Sequence, residues 1–176
     1  MGTWNAFYVR AQPEKATPAI RKDFPEAKIE QFEEFAGVNM GHDAFEAPEK
    51  ILANLSAQLG TDVMWMSLQS AVDAFQFHHW KAGKHIRSLV YGCFQEERTW
   101  ERAEGEPEPW ERDVFFNPKD LEFELKWAND EAQRQELKRI WQNAEIIPGQ
   151  MMPSVPSKDR AHKIARIYRF PHYGVE

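Results

Sequence analysis

A chain of 176 residues that is 42% apolar and 13% aromatic can bury its own core, which excludes disorder and any need for a stabilising metal or disulfide. The single cysteine, Cys93, excludes an intrachain disulfide and a cysteine-built zinc site. A net charge of −6 argues against a phosphate-backbone partner, and no run approaches the ~20 apolar residues of a membrane span. Residues Met1 to Ala6 lack the basic and apolar parts of a secretory signal, so cytoplasmic residence is expected, with no nucleic-acid or membrane partner.

Thr3 to Ala11, rich in aromatic and β-branched residues, reads as a first strand. Thr17-Pro18 is an N-cap followed by proline, predicting a short helix through Asp23. Ala27 to Phe35 alternates well enough for a second strand, and Gly37 to Ala47, with Gly41, His42 and Asp43, reads as a loop. Pro48 opens a helix whose Ile51, Leu52, Leu55 and Leu59 share one face and which Gly60 ends. Asp62 to Gln69 is nearly all apolar, as a central strand covered on both faces should be.

Ala74 to Lys81 and Lys84 to Phe94 flank Ala82-Gly83, a hairpin signal. A two-residue loop pairs Lys81 with Lys84. It predicts Phe75, Phe77 and His79 on one face with Ile86, Ser88 and Val90, and Gln76, His78 and Trp80 opposite with His85, Arg87, Leu89 and Tyr91. Glu96 to Asp113, with eight carboxylates and three arginines, reads as a short edge strand and an irregular loop. Asn117-Pro118 starts a helix whose apolar phase is lost before Leu137, so two helices meeting at Asn129-Asp130 are expected. Ser157 caps a last helix with the stripe Ala161, Ile164, Ala165 and Tyr168.

These elements predict one α+β domain: a mixed, largely antiparallel sheet of about five strands in the order β-α-β-α-β-β-β, with helices mainly on one face and further helices at the C-terminus. Residues 1–147 form its core, 148–156 a linker and 157–170 the C-terminal helix.

The common nucleotide-loop, zinc-protease and serine-hydrolase motifs are missing. His78, His79 and His85 sit at the hairpin, but neighbours on a strand point to opposite faces, so His78 and His79 cannot share a metal, and none is expected. Glu97, Glu101, Glu104, Glu106, Glu108 and Glu111 could supply an acid/base pair with one carboxyl desolvated by Trp100 or Trp110, or could be a solvated edge. Asp73, Arg87, Tyr91 and Trp80 form the candidate ligand site, as convergent polar and aromatic groups on a sheet face. The competing reading is a turn-capping Asp73 and an Arg87 paired with a glutamate of the acidic segment. Cys93 reads as a small buried hydrophobe, and the basic last helix as one that docks on the acidic segment of its own domain.

Thr61-Asp62-Val63, Ser70-Ala71-Val72-Asp73-Ala74-Phe75, Trp80-Lys81-Ala82-Gly83-Lys84 and Arg87-Ser88-Leu89 are followed by Gly105-Glu106-Pro107 and Trp110-Glu111. That succession, from Thr61 to Phe116, resembles a family of bacterial proteins built on a domain of unknown function. The resemblance implies a bacterial source and transfers no site residue.

The leading expectation is therefore a non-catalytic module that binds a small ligand or a protein partner, without a cofactor; a homodimer is compatible with it. The alternative is an enzyme using carboxylate chemistry in a cleft between the Asp73/Arg87 sheet face and the acidic segment 96–113.

Overall fold

The apolar stretch Asp62–Gln69 lies at the centre of a seven-stranded sheet in a computed structural model that describes residues 3–41, 46–96, 98–150 and 156–170. The strands are β1 (Thr3–Arg10), β2 (Ile29–Phe32), β3 (Phe35–Asn39), β4 (Asp62–Gln69), β5 (Ala74–Lys81), β6 (Lys84–Tyr91) and β7 (Trp100–Gly105). Their spatial order is β2-β3-β1-β4-β5-β6-β7, and every neighbouring pair is antiparallel. The expected five strands become seven for two reasons. Ala27 to Phe35 is a hairpin rather than one strand, because Glu33 takes φ 49° and reverses the chain into Phe35–Asn39, the start of the expected loop. The edge strand expected in the acidic segment is β7. Residues 42–45 of the expected loop lie outside the described residues.

Helices cover both faces, not mainly one. On one side α1 (Pro13–Asp23) and α2 (Glu49–Leu59) bury Ala16, Ile20, Leu52 and Leu55 against Phe7, Val9, Val63, Trp65 and Trp80. On the other, α3 (Glu111–Phe115), α4 (Pro118–Trp127), α5 (Glu131–Asn143) and α6 (Lys158–Tyr168) pack on Tyr8, Met64, Met66, Phe75, Phe77, Leu89 and Trp100. Alternate residues of β1 and β4 serve the two cores, which is why those strands read as unbroken apolar runs.

Several local signals act as read. Gly60 ends α2 at φ 64°, Asn117 accepts from the Asp120 amide, and Asp130 caps α5 by accepting from the Gln133 amide at 2.8 Å. Helix α1 starts earlier than expected, because Pro13, rather than Pro18, takes the first helical position. Part of the expected irregular loop is the short helix α3. In α6 the stripe Ala161, Ile164 and Ala165 is buried. Two of its cations bond within the domain: Arg160 bonds Asp120 at 2.8 Å, and Lys163 donates to the Asp113 carbonyl.

The hairpin turn has two residues, with Lys81 opposite Lys84 and both Ala82 (φ 48°) and Gly83 (φ 81°) left-handed, a type I′ geometry. The expected faces fail beyond it. Trp80 faces His85 and His79 faces Arg87, so Ile86 is an extra residue on β6 and the pairing slips by one. Phe75, Phe77 and His79 consequently lie with Tyr91, Leu89 and Arg87, while Gln76 and His78 lie with Val90 and Ser88. The bulge places Leu89 and Tyr91 in the α3–α6 core and turns Arg87 to that side.

Candidate functional site

The structure does not gather the four residues expected to form a pocket. Asp73 sits in the β4–β5 turn at φ 53°, near Tyr91, whose hydroxyl donates to the Arg98 carbonyl. Burial, with Asp73 adding to it, raises the Tyr91 pKa above its ordinary value. Arg87 is four residues from Tyr91, about 13 Å along a strand at ~3.3 Å per residue. Trp80 belongs to the opposite core, under α1 and α2.

Arg87 instead closes a buried ionic chain. Its Nε and Nη2 each donate to Glu111 at 2.7 Å, and its Nη1 to the Gly105 carbonyl at 2.8 Å. Glu111 Oε1 also accepts from the Glu108 amide at 2.8 Å. Glu108 lies 2.5 Å from His79 Nδ1, whose Nε2 meets Asp62 at 3.0 Å; Asp62 meets Arg10 at 3.0 Å. Each ring nitrogen of His79 therefore faces a carboxyl group, one from the acidic segment and one from β4. Beside them Trp110 donates to the Tyr168 hydroxyl, whose pKa burial drives upward, with Glu108 adding to the effect. Both oxygens of Glu111 are engaged within the protein, so this chain ties β1, β4, β5 and β6 to α3. It includes the glutamate pairing weighed above as the competing reading for Arg87.

The remaining carboxylates of the acidic segment divide. Glu101 accepts from the amides of Phe94 and Gln95, Glu104 and Glu106 are exposed, and Glu97 lies outside the described residues. Among the described residues no three His, Cys, Asp or Glu side chains are placed to hold a metal ion. Cys93 donates weakly to the Phe75 and Tyr91 carbonyls, and burial pushes its thiol up to about 12.

A different set of residues converges on the α1/α2 side. Registers across five strands align Asn5, Ser67, Gln76, Val90 and Arg102 in one row, and the adjacent row contains His78 and Ser88. Asn5, Ser67, Gln76, His78 and Ser88 are all buried, yet they are polar on a face that is otherwise apolar. A cavity of about 140 Å³ opens at the Gln76–His78 end of this floor, beside the start of α2, with Glu46, Glu49, Gln76, His78, Phe94 and Arg102 in its wall.

The hydrogen bonds have a direction. Burial lowers the His78 pKa from 6.5 to about 4, against the pull of Glu49 and with help from Arg102 and His85, so the ring is neutral at pH 7. Ser88 lies 2.8 Å from Nδ1 and Gln76 Oε1 lies 3.3 Å from Nε2. The amide oxygen can only accept, so Nε2 carries the proton and Nδ1 accepts from the Ser88 hydroxyl. Arg102 approaches Ser88 at 3.5 Å and pairs with Glu49 at 2.9 Å at the half-exposed mouth. The Ser67 hydroxyl, next to Gln76 in the row, is buried and has no hydrogen-bond partner among the described residues.

Sequence reasoning missed this floor. The usable signal is a single polar residue inside each apolar strand, Asn5 in β1 and Ser67 in β4, but only the register shows that they line up with Gln76.

No protein-family model, curated protein or solved structure matches this chain.

Proposed function

We propose that this protein is a non-catalytic module that binds a small polar molecule in the cavity walled by Glu46, Glu49, Gln76, His78 and Arg102, at one end of the polar floor. The observation that carries the reading is the row of buried polar side chains across the middle of the sheet. Burying polar groups there costs stability that apolar residues would not, and a cavity opens beside them. A cavity of about 140 Å³ has the volume of roughly five waters at ~30 Å³ each, so the ligand is a handful of heavy atoms. The wall offers the Arg102 guanidinium as a donor and the Glu46 and Glu49 carboxylates as acceptors, which suits a molecule with both a donor and an acceptor group. Kinship with the bacterial family resembled by the central block forms part of this proposal.

A thermal-shift screen with small polar metabolites tests it. A ligand at a hundred times its dissociation constant adds about 2.7 kcal/mol, several degrees in midpoint. The expected hit is lost in Arg102→Leu and Gln76→Leu and kept in Asp73→Asn, whose side chain is not part of the cavity wall. A hit indifferent to both floor substitutions, or a screen without any hit, would overturn the reading.

A further inference from the structure

We propose a second, independent site: the groove between α3, α4 and α5 binds a monocarboxylate that carries a flat apolar body. The groove has a volume of about 440 Å³, inside the range of small-molecule sites. Phe116 and Trp141 are buried side by side in its wall, with ring centroids 6.1 Å apart and planes at 84°, and Leu121 extends the apolar surface. The Trp141 indole donates to the Asn117 carbonyl at 2.9 Å, so its only polar atom is occupied and the small part of the ring that borders the groove is apolar.

Two cations line the same groove, Arg112 and Lys138; both are exposed, and neither has an ion-pair partner among the described residues. Several cations near them are already engaged. On α5, Arg139 and Arg134 pair with Glu136 and Glu131, and on α6, Arg160 and Lys163 are taken by Asp120 and the Asp113 carbonyl. In a chain of net charge −6, two unpaired cations beside an aromatic wall select an anion. A guanidinium matches a carboxylate with two parallel donors. Asp113 also lines the groove and repels a second negative charge, so a monoanion is favoured over a dianion such as phosphate.

The test is a titration with naphthoate, followed through the Trp141 indole N–H peak in a two-dimensional proton–nitrogen spectrum and assigned by its loss in Trp141→Phe. A saturable shift is expected. The neutral isostere naphthamide should bind roughly tenfold more weakly, and Arg112→Gln and Lys138→Gln should each weaken naphthoate by about threefold to tenfold. Inorganic phosphate should not compete. Both cations are exposed, so the variants keep the fold, which circular dichroism checks. Equal affinity for naphthoate and naphthamide, unchanged affinity in the double variant, or no saturable shift up to about 10 mM, a binding free energy of only ~3 kcal/mol, would overturn the proposal.

Discussion

Arg87 and Glu111 meet in a bidentate pair, two bonds of 2.7 Å between side chains that are each 3% exposed. Removing one partner strands a buried charge, which typically costs 3–5 kcal/mol, whereas replacing both by apolar groups of similar volume is often neutral. Glu111→Leu should therefore lower unfolding free energy in urea by about 3–5 kcal/mol, and Arg87→Met by a similar amount. The double variant Arg87→Met/Glu111→Leu should recover most of the loss. If the two losses simply add, the pair is not a buried charge unit.

The β5–β6 turn carries removable strain. Ala82 holds φ 48°, a region that costs a residue with a Cβ about 1 kcal/mol and that asparagine tolerates better. Ala82→Asn should raise the thermal midpoint by roughly 2–4 °C, the shift expected for ~1 kcal/mol in a domain of this size. Gly105 is the opposite case: at φ 84°, an added Cβ would lie 1.9 Å from the Ile86 carbonyl oxygen. Gly105→Ala should lower the midpoint markedly, and an unchanged midpoint would mean that β7 can move away from the Ile86 bulge.

Helices α2, α4, α5 and α6, the central strand and the hairpin turn were legible because each is written locally: an apolar stripe, a capping residue, a glycine stop. The bulge at Ile86 was not. Nothing in Lys84–Tyr91 marks the extra residue, and the preference for a clean apolar face selected the unslipped register, although Leu89 and Tyr91 make an equally apolar face once the slip is admitted. That single residue decides which side Arg87, Ser88 and Val90 occupy, so the expected site failed with it. His79 shows the same limit. Its partners Asp62 and Glu108 are distant in sequence, and only the fold brings them to its two nitrogens.

Cys93 should be inert. With its pKa raised to about 12 by burial and by the nearby Glu101, the thiolate fraction at pH 8 is roughly a thousandfold below that of an ordinary cysteine. Iodoacetamide at pH 8 should label the folded protein at least a hundredfold more slowly than the urea-unfolded chain. Comparable rates would show that the β6–β7 connection opens far more readily than its hydrogen bonds imply.

His78 makes stability sensitive to acid with a definite sign. Its folded-state pKa, about 4, lies below the unfolded value of 6.5, chiefly because burial disfavours the imidazolium. Between those values the unfolded chain binds more protons than the folded one, so stability falls as pH drops from 6.5 towards 4 and this contribution levels off below. The full difference is about 3 kcal/mol at 1.36 kcal/mol per pKa unit. Urea unfolding of the wild type and of His78→Gln across pH 7 to 4 separates this group from the carboxylates, which titrate in both proteins. The wild type should lose up to about 3 kcal/mol more than the variant over that range. Parallel curves would mean that the imidazolium is solvated in place, and that the floor of the cavity is wetter and more open than its buried side chains imply.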